Sequence, residues 1–168
     1  PGPRGLQGPE GPPAPIQAGE LLQDDPVSFV LLEFITVAFP AIAATVDTTG
    51  AINPVSVGFS SPSPGLLRYD GASAARFSVS YAYLLRWATS SLGTPSARFY
   101  SALMLNGAAV GRTYWVDRIG LDGDMEVFYG QALLLLSPGY ILSVGVGAED
   151  GIGTVENIEV HSLSLVAK

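Results

Sequence analysis

Glycine recurs at every third position at the start of the chain, and this spacing constrains the molecule more than any other feature. The four positions are Gly2, Gly5, Gly8 and Gly11. Three polyproline-II chains wind around a shared axis only where every third residue lacks a side chain, and one such chain alone has no internal hydrogen bonds. The repeat ends at Ala14, where the next glycine is due. The sequence therefore predicts a homotrimer with a triple-helical segment at residues 1–13.

The rest of the chain is long enough for one domain with its own core. We divide it into a neck at residues 14–26 and a head at residues 27–168. Hydrophobic residues make up 48% of the sequence and charged residues 14%, against about 25% charged in an average soluble domain. Low charge combined with high apolarity predicts a surface that is buried against identical copies.

Charge and cysteine content exclude several classes of function. The formal net charge is −7, and the basic residues form no cluster, which argues against a nucleic-acid partner. Cysteine is absent, so the sequence offers no disulfide and no thiolate chemistry. The longest apolar stretch, residues 29–39, is interrupted by Glu33 and Thr36 and is shorter than the roughly 20 residues of a membrane span. We therefore predict no membrane span in this sequence.

Period-two alternation predicts most of the strands. It is clearest in residues 77–87, where large apolar side chains alternate with mostly small ones, as in a strand with one face on a core and the other close to a neighbour. Asn106-Gly107 predicts a hairpin between 98–105 and 109–116. Further strands are predicted at 126–136 and 140–146, joined by a turn at 137–139.

Two segments leave alternatives open. Residues 27–39 are rich in Val, Phe, Ile and Thr, which favours a strand, although Asp25 and Pro26 would also suit the start of a short helix. In the closing strand, 154–166, the apolar positions shift parity, which indicates either a bulge or burial of both faces. About eight or nine strands without a long helix predict an all-β, antiparallel sandwich or jelly roll.

Residues 66–168 resemble the globular head of the complement-q and tumour-necrosis-factor superfamily. The matching pieces are the aromatic strand 77–87, the segment Leu103-Met104-Leu105-Asn106-Gly107, the strand and turn 133–139, and His161-Ser162-Leu163-Ser164-Leu165. The turn Leu136-Ser137-Pro138-Gly139-Tyr140 keeps the family's glycine and lacks the acidic residue that commonly follows it. The resemblance implies a trimeric jelly-roll head on a collagen-like stem, an arrangement also found in bacterial surface proteins and in phage and viral spikes.

The segment 117–126 is the candidate metal site. Asp122, Asp124 and Glu126 place three carboxylates at alternate positions around Gly123. Calcium prefers about six to eight hard oxygen ligands, and such a loop supplies part of that set. Members of the resembled superfamily sometimes hold calcium near the trimer apex, but the calcium-loop pattern of the EF-hand is absent here. The alternative is a solvated acidic turn.

The same segment is also the candidate contact surface for a receptor protein or a surface glycan. Its members are Tyr114, Trp115, Asp117, Arg118, Asp122 and Asp124. Aromatic rings beside polar groups suit sugar or protein contacts, because a flat ring contributes area at small entropic cost. The alternative is that Tyr114 and Val116, or Thr113 and Trp115, are core and interface positions of a strand.

Three functions remain open at this stage. The first is a non-enzymatic trimeric spike or adhesin on a virion or cell exterior, which attaches to a receptor or glycan. The second is a purely structural head that aligns three chains so that the stem can wind. The third is a carbohydrate-cleaving tip, which would need two facing carboxylates. Because the sole histidine, His161, has no nucleophile-elbow glycines near it, we interpret it as a packed or interface residue.

Overall fold

A computed structural model describes residues 17–23, 27–31, 44–45, 56–90, 96–113, 115–120, 125–148 and 156–168. The glycines of the predicted stem, Gly2, Gly5, Gly8 and Gly11, lie outside these ranges. The strands are β1 (Gly19–Gln23), β2 (Val27–Leu31), β3 (Ala44–Thr45), β4 (Phe59–Ser60), β5 (Leu67–Tyr69), β6 (Ala75–Ser90), β7 (Ser96–Leu105), β8 (Ala108–Ala109), β9 (Trp115–Gly120), β10 (Met125–Leu136), β11 (Ile141–Ala148) and β12 (Glu156–Ala167). A 3₁₀ turn, Gly111–Thr113, lies between β8 and β9. No helix in the described part of the chain is long and apolar enough to cross a membrane.

The strands form two antiparallel sheets, as predicted. The first sheet has the order β1-β12-β6-β10, and β2 also pairs with β12; the second has the order β4-β5-β11-β7-β8, with β3 on β11 and β9 on β7. The chain crosses between the sheets from β2 to β3, β5 to β6, β6 to β7, β9 to β10, β10 to β11 and β11 to β12. Antiparallel strands that alternate in this way between two packed sheets form a jelly roll. The predicted fold class is confirmed.

The core lies between the two sheets and is rich in aromatic rings. The large residues that alternate along β6 all face it, and Trp87 and Leu85 are completely buried. The ring of Tyr83 stacks on Phe128 of β10 at a centroid distance of 5.5 Å, and Trp87 meets Phe99 of the other sheet edge-on at 5.7 Å. Such pairs add roughly 0.5–1.5 kcal/mol to the burial of their area. The alternation of residues 77–87 thus fixes the orientation of the central strand.

The first strand lies in the segment that the sequence analysis assigns to the neck. Residues 19–23 form β1, which pairs with β12 in register from Gly19↔Ala167 to Gln23↔Leu163. Leu21 is 1% exposed and belongs to the core. The sandwich therefore includes residues before 27, because an extended segment beside β12 buries Leu21 and extends the sheet.

The Asn106-Gly107 hairpin forms, but the returning strand is interrupted. Both turn residues have positive φ, 51° and 80°, as a two-residue hairpin turn of this kind requires. After β8 the chain leaves the ladder, passes through the 3₁₀ turn, and rejoins β7 as β9. On β7, only Ala102 and Leu103 lie between the residues that pair with β8 and those that pair with β9. The single strand predicted at 109–116 is wrong in its middle.

Two open questions from the sequence are answered within the described residues. In β12 the register on β6 shifts between His161 and Ser164, and Ser162 has a φ of 52°, so a bulge accounts for the change of parity. Val160 and Leu165 consequently both face the core. Residues 27–31 form strand β2, which favours the strand interpretation of 27–39; the remainder of that segment lies outside the described residues.

Candidate assembly surface and contact loop

A row of exposed apolar side chains runs along the outer face of β10. We call it the β10 row, and its members are Met125, Val127, Tyr129, Leu133 and Leu135. Leu133 is 72% exposed and Leu135 is 60% exposed. Contiguous exposed apolar surface of this kind marks an interaction site in a soluble domain, whereas single exposed apolar residues do not.

The row follows from the position of β10 in the sheet. β10 is the last strand in the strand order and pairs only with β6 among the described strands. Its inward-facing residues Phe128 and Leu136 are completely buried, so the residues between them point away from the core. Opposite the middle of β10, the outward positions on β6 are the small residues Ser78, Ser80 and Ala82. Small side chains beside an apolar row leave room for a neighbouring surface to approach closely.

An open depression of about 660 Å³ lies beside this row. Small residues line it on the sheet side, among them Ser80, Ala82 and Ser164. The rings of Trp115 and Tyr129 lie on another side, with centroids 4.5 Å apart and planes inclined by 39°. Arg112 and Gln131 also line it, and both are exposed. The depression therefore combines aromatic surface with a guanidinium and an amide.

Buried hydrogen bonds hold the 3₁₀ turn that carries Arg112. The Tyr81 hydroxyl donates to the carbonyl oxygen of Thr113 at 2.9 Å. The Thr113 Oγ1 atom accepts from the backbone N–H of Leu103 at 2.9 Å and donates to the carbonyl of Val110 at 2.7 Å. Burial raises the pKa of Tyr81 to about 12, so its hydroxyl stays protonated and remains a donor at neutral pH. These bonds replace the ladder that is missing opposite Ala102 and Leu103.

The turn can lie close to the sheet because position 130 is a glycine. A Cβ atom there would lie 2.7 Å from a ring carbon of Tyr81 and 2.8 Å from the carbonyl oxygen of Thr113. Real Cβ atoms essentially never come so close to backbone. Gly130 thus permits the contact between β10 of the first sheet and the turn of the second.

A charged group lies on the same outer face. Glu159 accepts a hydrogen bond from Arg86 at 3.0 Å, and its Oε2 lies 3.3 Å from Nε2 of His161. The bond from Arg86 holds the pKa of the Glu159 carboxyl below its usual value, burial acts in the opposite sense, and the bond to His161 adds to the lowering. The His161 side chain is only 18% exposed, in agreement with a packed or interface histidine.

The predicted contact residues fall partly within the described chain. Trp115 is half-buried against the core and its indole Nε1 has no hydrogen-bond partner among the described residues. Asp117 and Arg118 lie in strand β9, opposite Phe99 and Arg98, and not in a loop as predicted, because the ladder with β7 continues to Gly120. Thr113 is buried and Val116 is exposed, so Thr113 and Trp115 have the inward parity. Tyr114, Asp122, Asp124 and the side chain of Arg118 lie outside the described residues.

The calcium prediction is still a prediction. Asp122 and Asp124 lie outside the described residues, and Glu126 is half-buried on β10 opposite Leu85. Among the residues that the structure describes, no three His, Cys, Asp or Glu side chains are grouped as metal ligands would be. The depression beside Arg112 offers no carboxylate of its own.

Strands β1 and β10 begin at opposite ends of the first sheet. At one end, Gly19 of β1 lies opposite Ala167, and Ala167 lies opposite Val79. At the other end, β10 begins at Met125, opposite Arg86. Val79 lies opposite Ala132, which is seven residues along β10 from Met125, a distance of about 24 Å at 3.4 Å per residue. The chain thus enters the sheet at one end, and the candidate loop joins it at the other.

The sequence patterns do not single out Arg112, Tyr129 or Gln131 as site residues. Residues 132–136 are apolar at both parities, which hides the face that a strand turns outward. Val127, Phe128 and Tyr129 are likewise apolar or aromatic at both parities, so no alternation marks Tyr129 as outward-facing.

No protein-family model and no curated protein sequence matches the chain. Among solved structures, murine APRIL at pH 5.0 has 12% identity and a TM-score of 0.48 over 85% of this chain and 97% of that chain. The globular domain of zebrafish complement 1qA has 8% identity and a TM-score of 0.47 over 86% of this chain and 94% of that chain. Both belong to the superfamily that residues 66–168 resemble. The jelly-roll assignment itself rests on the strand order.

Proposed function

We propose that this chain is a non-enzymatic, homotrimeric spike or fibre head on a collagen-like stem, displayed on a virion or cell exterior, where it attaches to a receptor or glycan. The observation that carries the proposal is the β10 row, which leaves Leu133 and Leu135 exposed on a sheet face. The glycine period at the start of the chain supports three copies, since that spacing is useful only to three chains.

Assembly is tested first, on the full chain. Light scattering should give about three times the 17.5 kDa mass of one chain. The double variant Leu133→Glu, Leu135→Glu should give the single-chain mass with an unchanged β-sheet circular dichroism spectrum, because six carboxylates would be forced into apolar contacts. Val57→Glu is the matched control, since Val57 is 43% exposed but lies outside the β10 row. A wild-type chain that stays single at micromolar concentration would contradict the proposal.

Attachment is the second part of the proposal. β10 begins at Met125, at the end of the first sheet away from Gly19 of β1, which supports the use of the connection before it as a contact loop. Three such loops on one trimer act together, and avidity can exceed single-site affinity by about 10² or more. A glycan array and a cell-binding assay should show binding by the wild type that the trimeric variant Asp122→Ala, Asp124→Ala loses.

The structural alternative is separated by a deletion. The β10 row supports assembly directly, and a head that only aligns three chains needs nothing more. If the intact trimer binds no glycan and no cell, while deletion of residues 17–168 abolishes triple-helix formation by the stem, the structural function is correct and attachment is not.

A further inference from the structure

We infer that Arg112 of one copy pairs with Glu20 of the next copy in the trimer, so that these two residues join the heads into a closed ring. The inference rests on the proposed function and names the contact on which assembly depends. It follows from the charges, the edges and the cross-strand rows of the first sheet.

Ion pairs within the chain exclude some of the charged residues from a contact between copies. Asp70 and Glu159 already have arginine partners in their own chain, Arg68 at 2.6 Å and Arg86 at 3.0 Å. Within the described part of the chain, neither Arg112 nor Glu20 has an ion pair or a hydrogen bond from its side chain. A copy that covers the depression also covers Arg112, and burying an unpaired charge is strongly unfavourable. The covering surface must therefore bring a carboxylate.

The edges of the sheet decide which carboxylate is available. A three-fold ring is head-to-tail, so each contact joins two different patches of the same chain. Arg112 lines the depression at the β10 edge, whereas Glu20 lies on β1, at the opposite end of the strand order. Glu20 is adjacent to the buried Leu21, so its side chain has the outward parity. Glu126, a second carboxylate without a partner among the described side chains, lies on β10 itself and shares the edge of Arg112.

The cross-strand rows place the two residues at the same level. Glu20 lies opposite Val166, Val166 opposite Ser80, and Ser80 opposite Gln131. Gln131 and Arg112 line the same depression. Rotation about a three-fold axis preserves height along that axis, so in a ring whose strands run along the axis the two ends of one row meet between adjacent copies.

Arg76 on β6 provides a control with the same charge at another level of the first sheet. It is exposed, has the same outward parity on β6 as Ser80, and lies opposite Leu135. Leu135 is four residues along β10 from Gln131, a displacement of about 13 Å. Arg76 therefore carries the same charge on the same face but lies beyond the reach of Glu20 in the ring.

Charge reversal tests the pair in the full chain, with sedimentation equilibrium as the measurement. Arg112→Glu and Glu20→Arg should each raise the protein concentration at which trimers dissociate by about tenfold or more, because each brings like charges together in every contact. The double variant should return to within about threefold of the wild type, since the pair is restored in reverse. Arg76→Glu should have little effect and should not be rescued by Glu20→Arg.

The outcomes separate this inference from the proposed function. If the wild type is a trimer and the double variant is no better than the single variants, the pair is wrong and the trimeric spike stands. If the wild type is a single chain, both are wrong. If circular dichroism shows that a charge reversal disturbs folding, the neutral variants Arg112→Gln and Glu20→Gln replace it in a double-mutant cycle. They should show coupling between the two positions. Additive effects on trimer dissociation would mean that the two residues do not pair.

Discussion

Apolar side chains on the outer faces of the two sheets differ in how far the chain itself covers them. On the second sheet, Tyr100 and Met104 point away from the core and are still only 9% and 7% exposed. On the first sheet, Leu133 and Leu135 also point away from the core and are mostly exposed. The chain thus covers one outer face with its own residues and leaves the other uncovered. Leu133 and Leu135 are as apolar as Tyr100 and Met104, but the chain leaves them uncovered. They are therefore available for contact with another copy.

Shortening one side chain on each outer face should break or confirm this contrast with the largest effect. In the single-chain background Leu135→Glu, Met104→Ala should lower the free energy of unfolding by about 2–5 kcal/mol, as for a buried methionine. Leu133→Ala in the same background should change it by no more than about 0.5 kcal/mol, as for an exposed position. Urea denaturation measures both. Equal losses at the two sites would mean that the faces do not differ.

Gly130→Ala tests the contact between β10 of the first sheet and the 3₁₀ turn of the second sheet. The added Cβ would clash with Tyr81 and the carbonyl of Thr113, and overpacking of this kind costs about 1–3 kcal/mol of the free energy of unfolding. Tyr81→Phe, which removes the bond to Thr113, should cost about 1 kcal/mol on its own. If both act by releasing the 3₁₀ turn, the double variant should cost less than the sum of the two. Additive losses of the free energy of unfolding would mean that Gly130 and the Tyr81 hydrogen bond act independently of each other.

The smallest expected effect is on the loss of stability at acid pH. It can be compared between one carboxylate beside each sheet. The pKa of Glu159 in the folded chain is lowered chiefly by the hydrogen bond from Arg86, and that of Asp70 is lowered by the neighbouring Ser60 hydroxyl and by the bond from Arg68. A lowered pKa stabilises the fold above the unfolded value, so this stability is lost as the pH falls from about 5 to about 3. Glu159→Gln and Asp70→Asn should each flatten that loss by no more than about 1 kcal/mol, because surface ion pairs are weak. Thermal unfolding across this pH range measures the slope, and a steeper loss in either variant would contradict the assignment.

Much of the fold was predictable because local patterns agree with tertiary contacts. Three local patterns led to the structure observed. Residues 77–87 form a strand with alternate residues buried, Asn106-Gly107 forms the hairpin turn, and the parity change after Val160 corresponds to a bulge. The 3₁₀ turn was not predictable, because it depends on Thr113 meeting the backbone of Leu103, ten residues earlier, and on Tyr81 of the other sheet. The β10 row was anticipated only as an apolar surface of unknown position, since residues 132–136 are apolar at both parities.

The pairing of the first strand with the last has a practical consequence for anyone who fuses this protein to another. Because Gly19 lies opposite Ala167, β1 begins and β12 ends at the same end of the sandwich. A cargo attached after Lys168 would emerge beside the proposed stem and point back along it. Foreign epitopes intended for the opposite tip therefore need to be inserted into an internal connection, such as the one that precedes Met125, and cannot simply be appended to a terminus.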